Sequence, residues 1–118
     1  MVDVARSNRA GPIKTGVGMK MYILIKDSTP PSYAIVAAAH ASLGCYLKYQ
    51  DDPDVKEWVS GPFNKMICSV NEKEFENAKT TEGHVVITES QLDGAEIALV
   101  FKPREEWPKM FKFFRKYK

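Results

Sequence analysis

Two histidines occur in the 118 residues, His40 and His84. His40 is the one placed where an imidazole could act as a general base. It lies in Tyr33-Ala-Ile-Val-Ala-Ala-Ala-His40-Ala-Ser-Leu-Gly44, a run of mostly small residues that puts little bulk around the ring. Imidazole titrates near neutrality and, beside a carboxylate, can take a proton at physiological pH. Glu89, with Thr88 before it, is the carboxylate candidate. Lys26, Asp27 and Ser28 follow an apolar run and offer a cation, an acid and a hydroxyl for binding. The competing reading of His40 is structural, an imidazole on an Ala-rich helix that satisfies a buried backbone group.

These residues need elements to hold them. Met21-Tyr-Ile-Leu-Ile25 has the continuous apolar character of a strand buried on both faces, so it is expected at the centre of a helix-covered sheet. Asp27-Ser-Thr-Pro-Pro-Ser32 interrupts it, and Ser32 is a candidate N-cap for the helix that follows. The alanines beyond Tyr33 favour helix and allow close approach to the sheet. Asp51 or Asp52 can cap a short second helix containing Val55, Trp58 and Val59, which Gly61-Pro62 ends. Lys65–Val70 is a second strand. Asn71 and Glu74 have capping-box spacing for a third helix. His84–Thr88 is a third strand with His84 at its boundary, and Glu89–Gly94 is a turn whose Asp93-Gly94 suits a hairpin. Ala95–Phe101 is a fourth strand, antiparallel to the third and closed by Pro103. From Pro108, the spacing of Met110, Phe111, Phe114 and Tyr117 predicts an amphipathic helix, aromatic inward and basic outward.

The order β-α-α-β-α-β-β-α implies crossover helices between the first three strands and hence parallel pairing among them. The expected fold is α/β, a three-layer α/β/α sandwich on a four-stranded mixed sheet. Ligands of such sheets bind beyond the carboxyl ends of the strands, where Lys26, Asp27, Ser28, Asn71, Thr88, Glu89 and Ser90 collect.

Met21 to Gly44, with its His40-Ala-Ser-Leu-Gly44 segment, resembles the first βα unit of the type II peptidyl-tRNA hydrolases. Trp58, Gly61 and the Lys65 strand continue the resemblance, which extends to the C-terminus. It implies the same element order and hydrolysis of the ester between peptide and tRNA. It also implies catalytic roles for His40, for Glu89 in place of the family's aspartate, and for Thr88. The chain departs from the family at the helix entry, where Ser32-Tyr33 and Ala37 stand in place of lysines and a glutamine. Lys26, reaching the rim from the first strand, is the substitute cation. The resemblance therefore implies two functions. One is a peptidyl-tRNA hydrolase-type esterase, and the other a non-catalytic relative that binds RNA, a protein or a small ligand at the same rim.

Composition sets the remaining bounds. A 118-residue chain with 44% hydrophobic and 27% charged residues is expected to form one domain, residues 19–118, behind a basic, mobile arm at 1–18. The net charge of +2 does not by itself announce nucleic-acid binding. Lys112 and Lys116 on the basic outer face of the last helix are the candidates for tRNA contact. Cys45 and Cys68 lack metal-ligand spacing and are expected as buried free thiols in a cytoplasmic protein. No apolar run is long enough to span a membrane. Gly16-Val-Gly18 precedes a strand, so it is no phosphate loop, and two separated histidines do not make a metal site; no cofactor is expected. Ser42 and Ser90 lack triad spacing. A homodimer is the oligomer suggested by the family, with Phe113 as a candidate interface residue.

Overall fold

Met21 to Ile25 are all buried, as a strand without a polar face must be. In the computed structural model, which describes residues 16–118, that strand is the middle of a mixed five-stranded sheet. The elements are β1 (Lys20–Lys26), α1 (Pro31–Tyr49), α2 (Pro53–Ser60), β2 (Lys65–Val70), α3 (Glu72–Ala78), β3 (His84–Glu89), β4 (Ala95–Arg104) and β5 (Arg115–Lys116). Single 3-10 turns occupy Ser90–Leu92 and Lys109–Phe113. The strand order is β3-β4-β1-β2-β5. β1 pairs parallel with β2 (Ile23 opposite Ile67) and antiparallel with β4 (Ile23 opposite Val100).

Strand alternation divides the core in two. Met21, Ile23 and Ile25 face α1, where Ala34, Ala37, Ala41 and Cys45 recur at helical spacing and Trp58 of α2 joins them. Tyr22 and Leu24 point the other way, onto Phe75 and Ala78 of α3, Phe101 and Phe111. That second core is largely aromatic: Phe101 and Phe111 meet edge to face at 5.1 Å, and Tyr22 and Trp107 at 4.7 Å.

Local signals hold for α2 and α3. The Asp52 carboxylate accepts the Asp54 amide at 2.8 Å. Asn71 and Glu74 complete a reciprocal capping box at 2.8 Å each way. At α1 the expectation is corrected, because the helix starts at Pro31 and Pro30 is its N-cap residue, leaving Ser32 inside the first turn. Proline's fixed φ suits the first helical position, so the Pro-Pro pair sets the start two residues early. Asp93 and Gly94 both have positive φ, within a five-residue connection between β3 and β4.

Three further expectations are corrected. β3 pairs only with β4, antiparallel, so it runs in the same direction as β1 and β2 without touching either. β4 continues through Pro103 to Arg104, which it can do because its pairing with β1 shifts register between Lys20 and Tyr22. A missing amide is tolerated at such an irregularity. Finally, the C-terminal helix is not formed. A 3-10 turn at Lys109–Phe113 leads instead to β5, which pairs antiparallel with β2 through Ser69–Arg115 and Cys68–Lys116 and makes a fifth strand. The open edge of β2 would otherwise leave a row of amides and carbonyls unpaired. The extended backbone also sends Phe114 to the aromatic core and Tyr117 to the α1 side, which one helical stripe could not do.

Residues 1–15 of the expected arm lie outside the described residues. Gly16, Val17 and Gly18 are fastened: a Cβ at Gly16 would stand 2.8 Å from the Glu57 carbonyl oxygen, and the Met19 amide donates to the Gly16 carbonyl. No helix among the described residues is long and apolar enough to cross a membrane.

Candidate functional site

The carboxyl end of β1 leads into α1 through Lys26, Asp27, Ser28 and Thr29. The Asp27 amide donates to the Val70 carbonyl at 2.8 Å, which fixes the ends of β1 and β2 side by side. Lys26 continues the Tyr22–Leu24 face. Its ammonium lies 3.2 Å from Glu72 and 4.5 Å from the centroid of the Phe75 ring, both on α3. Asp27 and Ser28 are exposed. Thr29 is buried, and its hydroxyl has no hydrogen-bond partner among the described residues. The prolines that start α1 remove two amides from the helix end, and the Tyr33 and Ala34 amides both donate to the Pro30 carbonyl. An anion arriving there would find few free donors.

His40 lies on α1 away from the sheet, exposed and without a hydrogen bond to any described residue. The structural reading, a core imidazole holding a backbone group, is therefore corrected: the ring is outside the core. Thr88 is exposed and stands opposite Glu96 across the β3–β4 ladder, and the Glu89 carboxylate accepts the Gln91 amide at 3.0 Å. A link between these regions does exist, since the Tyr33 hydroxyl donates to Gln91 Oε1 at 3.2 Å and ties the start of α1 to the turn after Glu89. The α1 entry and the β3 end thus share one rim. Lys26 does not join His40 there: it sits on the α3 face, whereas His40 belongs to the α1 layer.

His84 is structural. Its Nδ1–H donates to the Thr81 carbonyl at 2.8 Å, and the ring leans on Phe101. Cys45 and Cys68 are free and lie in the two separate cores. Burial pushes their thiols up, Cys45 to about 12 and Cys68 to about 11.

Sequence reasoning missed a groove between α1 and the α2–β2 connection. It has a volume of about 420 Å³ and is lined by Leu43, Tyr46, Trp58, Val59, Phe63 and Lys65, among others. Phe63 adopts a φ of 37°, uncommon for a side chain of this size, and its ring meets Trp58 edge to face. Lys65 lies over both rings, 5.1 Å from Trp58 and 4.6 Å from Phe63, with its ammonium donating to the Phe63 carbonyl. Burial lowers its pKa. The available signal was the apolar character of α1 on the side away from the sheet, at Ile35, Val36, Leu43 and Leu47.

The basic C-terminal residues remain at the surface despite the change of element. Lys112 and Lys116 are exposed without ion pairs among the described residues, while Arg115 pairs with Glu74 at 3.2 Å. Among the described residues no group of three or more His, Cys, Asp or Glu side chains is placed to hold a metal ion. Compared with protein-family models the chain matches none, and no curated protein matches it significantly.

Proposed function

We propose that this chain is a relative of the type II peptidyl-tRNA hydrolases that binds RNA of the tRNA class without efficient cleavage of the peptide ester. The His40-Ala-Ser-Leu-Gly44 segment and the order β-α-α-β-α-β-β through β4 support the family assignment, while β5 departs from it by standing where the resemblance implied a helix. The placement of Lys26 carries the functional part. Its charge is committed to Glu72 and Phe75, on the face of the sheet opposite the α1 layer, so the cation needed beside His40 is not supplied by β1. Oxyanion stabilisation commonly contributes the largest single share of catalysis in acyl transfer, and an imidazole alone offers much less. Lys112 and Lys116, without ion pairs among the described residues, provide cations for phosphate.

Binding is tested by a salt titration with tRNA. If Lys112 and Lys116 each contact one phosphate, replacing both with Gln reduces the slope of log affinity against log salt by about 1.5. An unchanged slope removes that edge from the interface.

A second reading, hydrolysis, is favoured by the Tyr33–Gln91 hydrogen bond, which keeps the entry of the His40 helix beside Glu89. Incubation with peptidyl-tRNA separates the two. Turnover that is lost in both His40→Ala and Glu89→Gln would establish the hydrolase, and absence of turnover at saturating tRNA would establish the binding protein.

A further inference from the structure

Among the described residues Lys65 is the one charged side chain that lines the groove between α1 and the α2–β2 connection. Its ammonium has no counter-ion there. It lies over the Trp58 and Phe63 rings, and the Phe63 carbonyl takes one of its three donors. No carboxylate is within ion-pairing distance among the described residues, and burial alone acts on its pKa. Around this cation the groove is apolar: Leu43 is 60% exposed, Phe63 47% and Val59 39%.

We infer that the groove binds a small carboxylic acid with an apolar tail, its carboxylate on Lys65 and its tail along Leu43 and Val59. Charge and chemistry select that ligand. Partial withdrawal from water disfavours an ammonium, and a carboxylate beside it reverses the penalty. The two donors that Lys65 does not give to Phe63 suit the two oxygens of a carboxylate. A cationic ligand meets repulsion at the same place, and a neutral one gains only the apolar contacts.

The groove also has the size and rigidity of a ligand site. Its volume of about 420 Å³ falls within the ~300–1,000 Å³ of small-molecule pockets. Hydrogen bonds fasten the connection that forms one wall. The Trp58 indole N–H donates to the Asn64 carbonyl at 2.8 Å and the Gly61 amide to the Trp58 carbonyl at 3.2 Å. The Asn64 side-chain amide donates to the Val17 carbonyl at 3.4 Å. Within this connection Phe63, at a φ of 37°, presents both its ring and its carbonyl to Lys65. Backbone held in that region by a bulky residue collects at ligand clamps. Neither His40, Glu89, Lys112 nor Lys116 lines the groove, so the inference stands apart from the RNA reading.

Nuclear magnetic resonance titration of the full chain with hexanoate, hexan-1-ol and hexylammonium at neutral pH tests this. Hexanoate is expected to shift the backbone amides of Leu43, Val59, Phe63 and Lys65 with a dissociation constant of ~1 mM or below, the scale for so small a ligand. Hexan-1-ol binds at least ~10-fold more weakly and hexylammonium more weakly still, because only the acid pairs with the ammonium. Bound hexanoate also raises the Lys65 side-chain pKa, as an opposite charge must. Lys65→Met lowers hexanoate affinity to that of the alcohol but leaves hexan-1-ol binding unchanged, which shows that the groove persists. Val59→Asp weakens both ligands, and Lys65→Arg keeps the preference for the acid. An absence of shifts at ~20 mM hexanoate, far above the expected constant, would overturn the inference. So would equal affinity for acid and alcohol in the wild type, or unchanged hexanoate binding in Lys65→Met. Hexanoate affinity that falls as protein concentration rises would assign the groove to another copy, and would overturn it as well.

Discussion

Lys26 and His40, the two residues best suited by type to share a site, are held on opposite sides of the sheet. The strand puts Lys26 on the face of Tyr22 and Leu24, where Glu72 and Phe75 engage it. The helix holds His40 beyond the other face, in solvent. His40→Ala is therefore expected to leave stability within about 0.5 kcal/mol of wild type, since neither packing nor a hydrogen bond is lost. A thermal melt checks this. A drop of several degrees would mean that the ring has a structural partner.

Thr29 gives the opposite kind of prediction. Its hydroxyl is buried beside the α1 entry without a partner among the described residues. Thr29→Val keeps the shape and removes the unpaired group, so it should stabilise by about 1 kcal/mol. For a chain of this size that is a rise in Tm of roughly 4 °C. A loss of stability instead would reveal a partner for the hydroxyl.

The Lys102 ammonium lies 2.8 Å from Asp52 Oδ2 and joins β4 to the N-cap of α2, with the side chains 34% and 22% exposed. The hydrogen bond from Lys102 holds the Asp52 carboxyl below its ordinary value and outweighs the opposing effect of burial. A depressed carboxylate contributes stability above its unfolded pKa and loses it as the pH falls through the lower folded value. Asp52→Asn keeps a capping oxygen but loses the charge, and partial exposure limits the cost at neutral pH to about 0.5–1 kcal/mol. Asp52→Ala also loses the cap and should cost about 1 kcal/mol more. Denaturant melts across pH should show the Asn variant converging on wild type in acid, below the usual carboxylate range. A constant difference would assign the loss to something other than ionisation.

Cys45 and Cys68 should resist thiol reagents. With the Cys45 thiol near 12, little thiolate is present at pH 8, and both sulfurs are buried. Labelling of the native chain is expected to be at least ~100-fold slower than labelling in denaturant, where both react. Fast native labelling at either position would show that its core opens readily.

What could be read in the sequence was what short-range physics decides. β1 declared itself by an apolar run that no half-exposed strand carries. The capping residues of α2 and α3 declared themselves by hydrogen bonds spanning two or three positions, and the buried stripe of α1 by its alanines. The clustering of Thr88 and Glu89 at the far end of β3 followed from the same element boundaries. The C-terminal segment was different, because its helical spacing competed with the unpaired edge of β2, far away in the chain (Ser69 pairs with Arg115) but adjacent in space. That edge is invisible until the sheet is assembled. β4 entering between β1 and β3 was likewise a matter of sheet order, which no local pattern specifies. The separation of Lys26 from His40 came from which face of β1 each odd or even residue took once α1 and α3 had packed. Sequence placed these residues at element ends and on helix turns, but only the packed sheet determined which of them share a side.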